Sequence, residues 1–351
     1  MKRIFLHSNF DTITGYGNSA VNLAIELQKR DIAVYPLCKS IGFDMPEEFL
    51  NLLMRKYPIG QYIDYYINMD TPDRLDIPKN LEFIEKKIAY TMWEQTRLTK
   101  QFKKKYFKNY SNIFVSCSMN VEPFGEVFDE NKIKIVPLGI DTRFYAPVKR
   151  DFFDTKLKVC MNGALTYRKG IDILTDVMLD DRIKKLPIEF HLKNSQRTVH
   201  PKISEANPNI FIYEGVWEKE QVKNLYDNCH VMICPNRGEG FNQTAVEFLA
   251  TGGVVLTHNW GGHQAWANSE YCKTIPYKLV PVEKWADVQK DSKWAEVNKE
   301  DIIKALLDLY QNRQKLVTLS SNAIKIAGFY SFEKMAEKFI MKMEEIDNEK
   351  S

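Results

Sequence analysis

Two acids, Glu239 and Glu247, lie in the stretch HVMICPNRGEGFNQTAVEFLATGG from His230, where a buried strand pattern passes through a short loop into a helix. Glu239 falls in the loop and Glu247 inside the helix, so one carboxylate meets a ligand group while the other reaches from the helical wall. A carboxylate accepts two hydroxyl hydrogen bonds at once, which suits a ribose diol or a hexose. A second pair, Arg168 and Lys169, sits in the loop GALTYRKG from Gly163, ahead of the helical run IDILTDVML. Adjacent cations at the mouth of a helix match a diphosphate, since Arg forks onto two oxygens and Lys adds a mobile point charge. Blander readings stand beside both: a loop acid with a solvated helix acid, and a solvated Arg-Lys turn.

A third feature is Gly15-Tyr16-Gly17, between the first strand pattern and the helical AVNLAIELQKR. Glycines there let backbone approach an anion or sugar closely. A tight turn explains them equally well. The third glycine of the dinucleotide fingerprint is absent, as is a ribose-binding acid at the end of the second strand. The six histidines are scattered, without a metal-ligand spacing, so no metal site is expected. His263, in Trp260-Gly261-Gly262-His263, reads as a surface-turn histidine, with a position facing a ligand cleft as its other reading.

Such groups need strand ends and helix mouths to hold them. Short β-branched runs alternate with helical patterns: KRIFLH from Lys2, IAVYPL from Ile32, YIDYYIN from Tyr62, KIAYT from Lys87, NIFVS from Asn112 and IKIVP from Ile133. The series restarts with LKVCMN from Leu157, IEFHLK from Ile188, NIFIY from Asn209, HVMICP from His230 and GVVLT from Gly253. Two series predict α/β architecture with two Rossmann-like domains in tandem. The polar stretch Gly139–Lys156, containing Pro147, is the expected linker. Domain bounds of 1–148 and 149–328 follow. A segment over 329–351 opens at Ser331 and carries Phe332, Met335, Phe339 and Met343 on one apolar stripe. That stripe needs a surface to lie against.

The 351 residues, 44% hydrophobic, suffice for two cores. A net charge of +3 is too small to identify a nucleic-acid partner, so any basic surface is local. The six cysteines form no CxxC pair and read as buried reduced thiols. No apolar stretch reaches the length of a spanning helix and no signal peptide is evident. A cytoplasmic protein, at most peripheral on a membrane face, is expected. No protein partner can be inferred.

Taken in order, these stretches resemble the retaining glycosyltransferases of family 4, which have the GT-B fold. GALTYRKGIDIL is similar to the family's glycine-led Arg/Lys-Lys-Gly loop, and PNRGEGFNQTAVEFLATGGVVLT to its Glu-x7-Glu segment. VSCSMNVEPF with KIKIVPLGIDTRFYAP resembles the end of its first domain. The resemblance implies two Rossmann-like domains facing a central cleft, with a C-terminal helix crossing back to the first domain. It implies a nucleotide-sugar donor, UDP- or GDP-linked, and no further cofactor. Arg168 and Lys169 would hold the diphosphate, Glu247 the ribose, and Glu239 a hydroxyl of the transferred sugar. Gly163, Gly240, Phe241 and Asn242 would line the donor, and Gly15, Tyr16 and Gly17 would face it from the first domain. Asn242 stands where the family has glycine, so a side chain would enter the space near the donor. Glu94, in Met92-Trp93-Glu94-Gln95, stands where the family often has a cleft histidine; orienting Arg97 or a loop N–H is its other reading.

Retention in such enzymes implies front-face substitution, the leaving diphosphate taking the acceptor proton, so the protein chiefly stabilises charge. The acceptor is open among glycan, lipid-linked and nucleic-acid classes. RLTKQFKKKYFKNY, from Arg97, sets Lys103, Lys104 and Lys105 among aromatics; as one helix it could lie on an anionic membrane face or track DNA phosphates. A solvated basic face with its aromatics packed inward is the third reading. A nucleotide-sugar epimerase and a non-catalytic nucleotide-sugar-binding subunit are the rival functions.

Overall fold

β-branched and aromatic runs flanked by loops form the strands of two separate parallel sheets in this computed structural model, which describes residues 1–57, 60–195, 206–283 and 291–349. The first sheet contains β1 (Arg3–Phe10), β2 (Ala33–Ile41), β3 (Tyr65–Met69), β4 (Lys87–Tyr90), β5 (Asn112–Val115) and β6 (Ile133–Ile135), in the order β2-β1-β3-β4-β5-β6. The second contains β7 (Leu157–Gly163), β8 (Ile188–Asn194), β9 (Ile210–Glu214), β10 (Val231–Cys234), β11 (Val254–Thr257) and β12 (Cys272–Thr274), in the order β12-β11-β10-β7-β8-β9. Read from the other edge, the second is the dinucleotide-fold order, whose switch point falls between β7 and β10. The first follows the flavodoxin-like pattern, switching between β1 and β3. A hairpin of β13 (Tyr277–Pro281) and β14 (Lys293–Val297) pairs antiparallel beside the second sheet.

Met1–Ile140, Ser292 and the chain from Tyr330 onward belong to one compact unit, and Asp141 to Glu283 with Lys293 to Phe329 supply the other. In the first unit the closing helix Phe332–Asn348 starts at Ser331, whose hydroxyl accepts the Lys334 N–H at 3.2 Å. Its stripe of Phe332, Met335, Phe339 and Met343 is buried, with the Phe339 ring 4.8 Å from that of Phe114. The Tyr65 hydroxyl donates to Met343 O at 2.9 Å. The chain re-enters this unit beside Gly139, where an added Cβ would stand 2.7 Å from Phe332 Cα.

Alternating residues Leu157, Val159 and Met161 of β7 join Phe190, Leu192, Val231, Ile233 and Val254 in the core of the second unit. Ile302, Leu306 and Leu309, from the helix Lys299–Gln311, cover them. The expected linker is held at its start, where Ile140 N donates to Tyr330 O at 2.8 Å. Arg150 donates to Cys229 O at 2.9 Å, Tyr226 O at 2.7 Å and Thr251 Oγ1 at 2.7 Å, fastening its later half to the second unit.

Two expectations need correction. Arg97 to Tyr110 is not one basic aromatic helix: helical structure covers Lys100–Lys105, while Phe107 and Tyr110 join the core of the first unit and Trp93 packs edge-on to Phe102 at 5.2 Å. The aromatics therefore pack inward; the side chains of Lys103, Lys104 and Lys105 lie outside the described residues. Of the six free cysteines, Cys38 is exposed, because it lies where β2 runs past its buried half; the others are buried.

Candidate functional site

The switch point of the second sheet brings two loops together at the carboxyl ends of β7 and β10. After Gly163, at φ 135°, the first loop runs to Gly170, at φ 74°, and enters the helix Ile171–Met178. The second runs from Pro235 to Asn242 and enters the helix Gln243–Ala250. The loops touch: a Cβ on Gly170 would stand 2.4 Å from Pro235 O, so only glycine, free of the left-handed penalty, fits there. Arg237 N donates to Arg168 O at 2.7 Å, tying the loops by backbone as well.

This approach gathers the expected charges. Lys169 Nζ forms an ion pair with Glu239 Oε1, Arg168 Nη1 lies 3.5 Å from the same oxygen, and Asn236 Nδ2 donates to it at 2.6 Å. Arg168 Nη1 also donates to Gly238 O at 2.6 Å. Burial pushes the Glu239 carboxyl up, but Lys169 and Arg168 outweigh it and hold the group below the usual carboxylate range. Glu239 is thus an anion with two cations at a helix mouth.

A third segment, following β11, holds the Glu239 loop from behind. His258 Nε2 lies 2.7 Å from Asn236 O, Gly262 N donates to Glu239 O at 2.7 Å, and Trp266 Nε1 donates to Phe241 O at 2.7 Å. Phe241 is itself buried. Asn242 adopts φ 68°, the left-handed region that glycine occupies without penalty and Asn tolerates. Its amide is engaged inside the protein, with Nδ2 3.0 Å from His263 Nε2 and Oδ1 accepting from Thr244 Oγ1 at 2.9 Å.

His263 is therefore no surface-turn residue. It is 0% exposed, and burial holds its pKa down at about 3. The Thr257 hydroxyl lies 3.0 Å from Nδ1, so the neutral ring carrying hydrogen on Nδ1 and accepting the Asn242 amide on Nε2 satisfies both neighbours. The left-handed turn at Asn242 required a partner that sequence spacing did not reveal.

Glu247 lies one face further on, in the helix Gln243–Ala250, and is only 9% exposed. Asn162 Nδ2 donates to the Tyr226 hydroxyl at 2.7 Å, and that hydroxyl in turn donates to Glu247 Oε2 at 3.4 Å. Burial raises the carboxyl to about 7, against the weaker downward pull of Tyr226.

The remaining expected residues belong to the first unit. Gly15, Tyr16 and Gly17 form the opening turn of the helix Gly15–Gln28, which begins earlier than its apolar period suggests because Thr14 Oγ1 accepts the Gly17 N–H at 3.1 Å. A Cβ on Gly17 would stand 2.2 Å from Asp11 Oδ2, so this glycine makes room for the preceding loop. The Tyr16 hydroxyl accepts the Met92 N–H at 3.0 Å and thereby fixes the loop carrying Glu94. Glu94 is partly buried there, and Arg97 Nε donates to Glu126 Oε1 at 3.0 Å. Among the described residues no group of three His, Cys, Asp or Glu could hold a metal.

Residues 146–275, which contain Arg168, Lys169, Glu239 and Glu247, match the family described as glycosyl transferases group 1. The match spans less than half of the chain and makes this stretch similar to a group 1 glycosyltransferase domain. An uncharacterized glycosyltransferase of Methanocaldococcus jannaschii is 25% identical over 176 residues, which cover 49% of this chain and only 43% of that relative. HepE of Anabaena, solved with UDP and glucose, superposes with a TM-score of 0.73 at 13% identity, covering 98% of this chain and 99% of that one. Sucrose-phosphate synthase of Thermosynechococcus elongatus superposes with a TM-score of 0.71 at 13% identity, covering 99% and 100%. Those likenesses establish the GT-B fold. The matched stretch lies inside the second unit, where the switch-point loops meet.

Proposed function

We propose that the protein transfers a sugar from a nucleoside-diphosphate sugar to an acceptor with retention of configuration. The observation that carries this reading is the meeting of Arg168, Lys169 and Glu239 at the switch point of a stretch similar to a group 1 glycosyltransferase domain, with Glu247 buried in the next helix. Arg168 and Lys169 hold the diphosphate and stabilise its charge as it leaves. Glu247 accepts the ribose hydroxyls and Glu239 a hydroxyl of the transferred sugar. The departing phosphate takes the acceptor proton, so no strong protein base is needed. HepE, with UDP and glucose bound, supports a UDP-linked hexose as the first donor to try. Free buried thiols agree with a reducing cytoplasm, and among the described residues no helix is long and apolar enough to cross a membrane.

Thermal-shift measurement with UDP-, GDP-, ADP- and CMP-sugars tests the donor class. A matching ligand at about 100 times its dissociation constant stabilises the folded state by about 2.7 kcal/mol. No shift with any of the four would sink the reading.

A further inference from the structure

We infer that Arg237 is the positioning residue that sets the diphosphate-binding loop, a role that rests on the proposed function and deepens it. Arg237 is 2% exposed and lies between the two switch-point loops. Its Nη1 and Nη2 donate to the two oxygens of Asp172, each at 2.8 Å, in a fork-to-fork pair. Nη1 also donates to Tyr167 O at 2.5 Å, Nε donates to Glu296 Oε2 at 3.0 Å, and Nη2 lies 2.9 Å from that same oxygen. All the N–H donors of the guanidinium are engaged. Its carbon also stands 3.8 Å from the centre of the Tyr167 ring. A saturated, buried guanidinium has nothing left for a phosphate, so Arg237 acts on the site through its neighbours.

Those neighbours bracket the cations. Tyr167 precedes Arg168, and Asp172 lies in the first turn of the helix that follows Lys169 and Gly170. Arg237 grips both ends, while its own N–H holds Arg168 O at 2.7 Å in the middle. The hairpin completes the clamp: Glu296 comes from β14, and Ala295 N donates to Arg237 O at 2.9 Å. Arg168 and Lys169 therefore project from a stretch of backbone fixed before, within and after them. Lysine at 237 keeps the charge but has no planar fork for Asp172 and Glu296 together.

The test separates diphosphate from nucleoside. Calorimetry compares UDP with uridine, and GDP with guanosine, on the wild type, Arg237→Lys and Glu296→Gln, with a melting curve for each. The wild type binds its diphosphate more tightly than the matching nucleoside. In Arg237→Lys that ratio shrinks by about tenfold or more while nucleoside affinity stays unchanged. Glu296→Gln, which keeps the Asp172 fork, shows a smaller shrinkage and keeps the inference testable if the lysine variant does not fold. An unchanged ratio in a folded variant, or nucleoside and diphosphate weakening in equal proportion, overturns the positioning role and leaves the site assignment standing. A wild type that binds neither diphosphate overturns both.

Discussion

The Tyr226 hydroxyl, held by Asn162, donates to Glu247 Oε2 across 3.4 Å inside a pocket that raises the carboxyl from 4.5 to about 7. In the unfolded chain Glu247 ionises near 4.5, so between 4.5 and 7 the folded state holds a proton that the unfolded state has lost. Its contribution to stability is full below 4.5, falls as pH rises through this window, and is flat above it. The span corresponds to on the order of 3 kcal/mol. Urea denaturation of wild type and Glu247→Gln from pH 4.5 to 8 reads it: the wild type loses stability relative to the variant up to about pH 7. A constant difference would contradict the burial of an ionisable group there.

The same carboxyl must be ionised to accept two ribose hydroxyls. Uridine carries no phosphate to confuse the titration, so its affinity should strengthen as pH rises towards 7 and then level. Glu247→Gln should bind uridine weakly and without that slope. A pH-independent wild-type affinity would remove Glu247 from the ribose site.

Arg168 is predicted to act on turnover more than on folding. It keeps some exposure, and its partners Gly238 O and Glu239 belong to the site loop and not to the hydrophobic core. Arg168→Ala should lower kcat by about 10²- to 10³-fold, the cost of one well-placed donor to a developing charge, with the melting temperature nearly unchanged. EDTA should leave wild-type turnover intact if these cations meet the diphosphate charge alone. Wild-type kcat in the variant would sink the assignment.

Sequence pattern exposed the parallel strands because Val, Ile and aromatic residues cluster where both faces are buried. It missed β12 because Cys272-Lys273-Thr274 is too short to show a period, and the β13–β14 hairpin because its partners lie far apart in sequence. Glu239 and Lys169 were legible as charges at helix mouths. Their contact was not, since it depends on Gly170 meeting Pro235 across the sheet. Nothing in the loop sequence sets Arg237 apart, and only the carboxylates of Asp172 and Glu296 reveal it as a clamp. His263 was misread because nothing local says that the turn before it folds under the Glu239 loop.

That fold-under yields a packing prediction. A Cβ on Gly262 would stand 2.4 Å from Gly240 C and 2.4 Å from Phe241 N, both backbone atoms that cannot swing aside as a side chain can. Gly262→Ala must displace the Glu239 loop, and with it the bond from Gly262 N to Glu239 O. Overpacking of this kind costs about 1 to 3 kcal/mol. Nucleotide affinity should fall together with the urea midpoint. Unchanged affinity would mean that the loop's position is immaterial to binding.

The closing helix offers a contrast, because its apolar stripe belongs to the first unit and carries no donor-site residue. Phe339 is fully buried, with its ring 4.8 Å from that of Phe114 and 6.1 Å from that of Tyr90. Phe339→Ala leaves a cavity beneath the helix and should cost about 3 to 5 kcal/mol in the first unit. The second unit has its own core of Leu157, Phe190, Val231 and Leu306, so affinity for UDP should persist at temperatures where the variant remains folded. Urea denaturation and UDP calorimetry on the same preparation separate these effects. Loss of UDP affinity in a folded variant would show that the donor site depends on the first unit's core, and an unchanged urea midpoint would show that Phe339 does not anchor the helix.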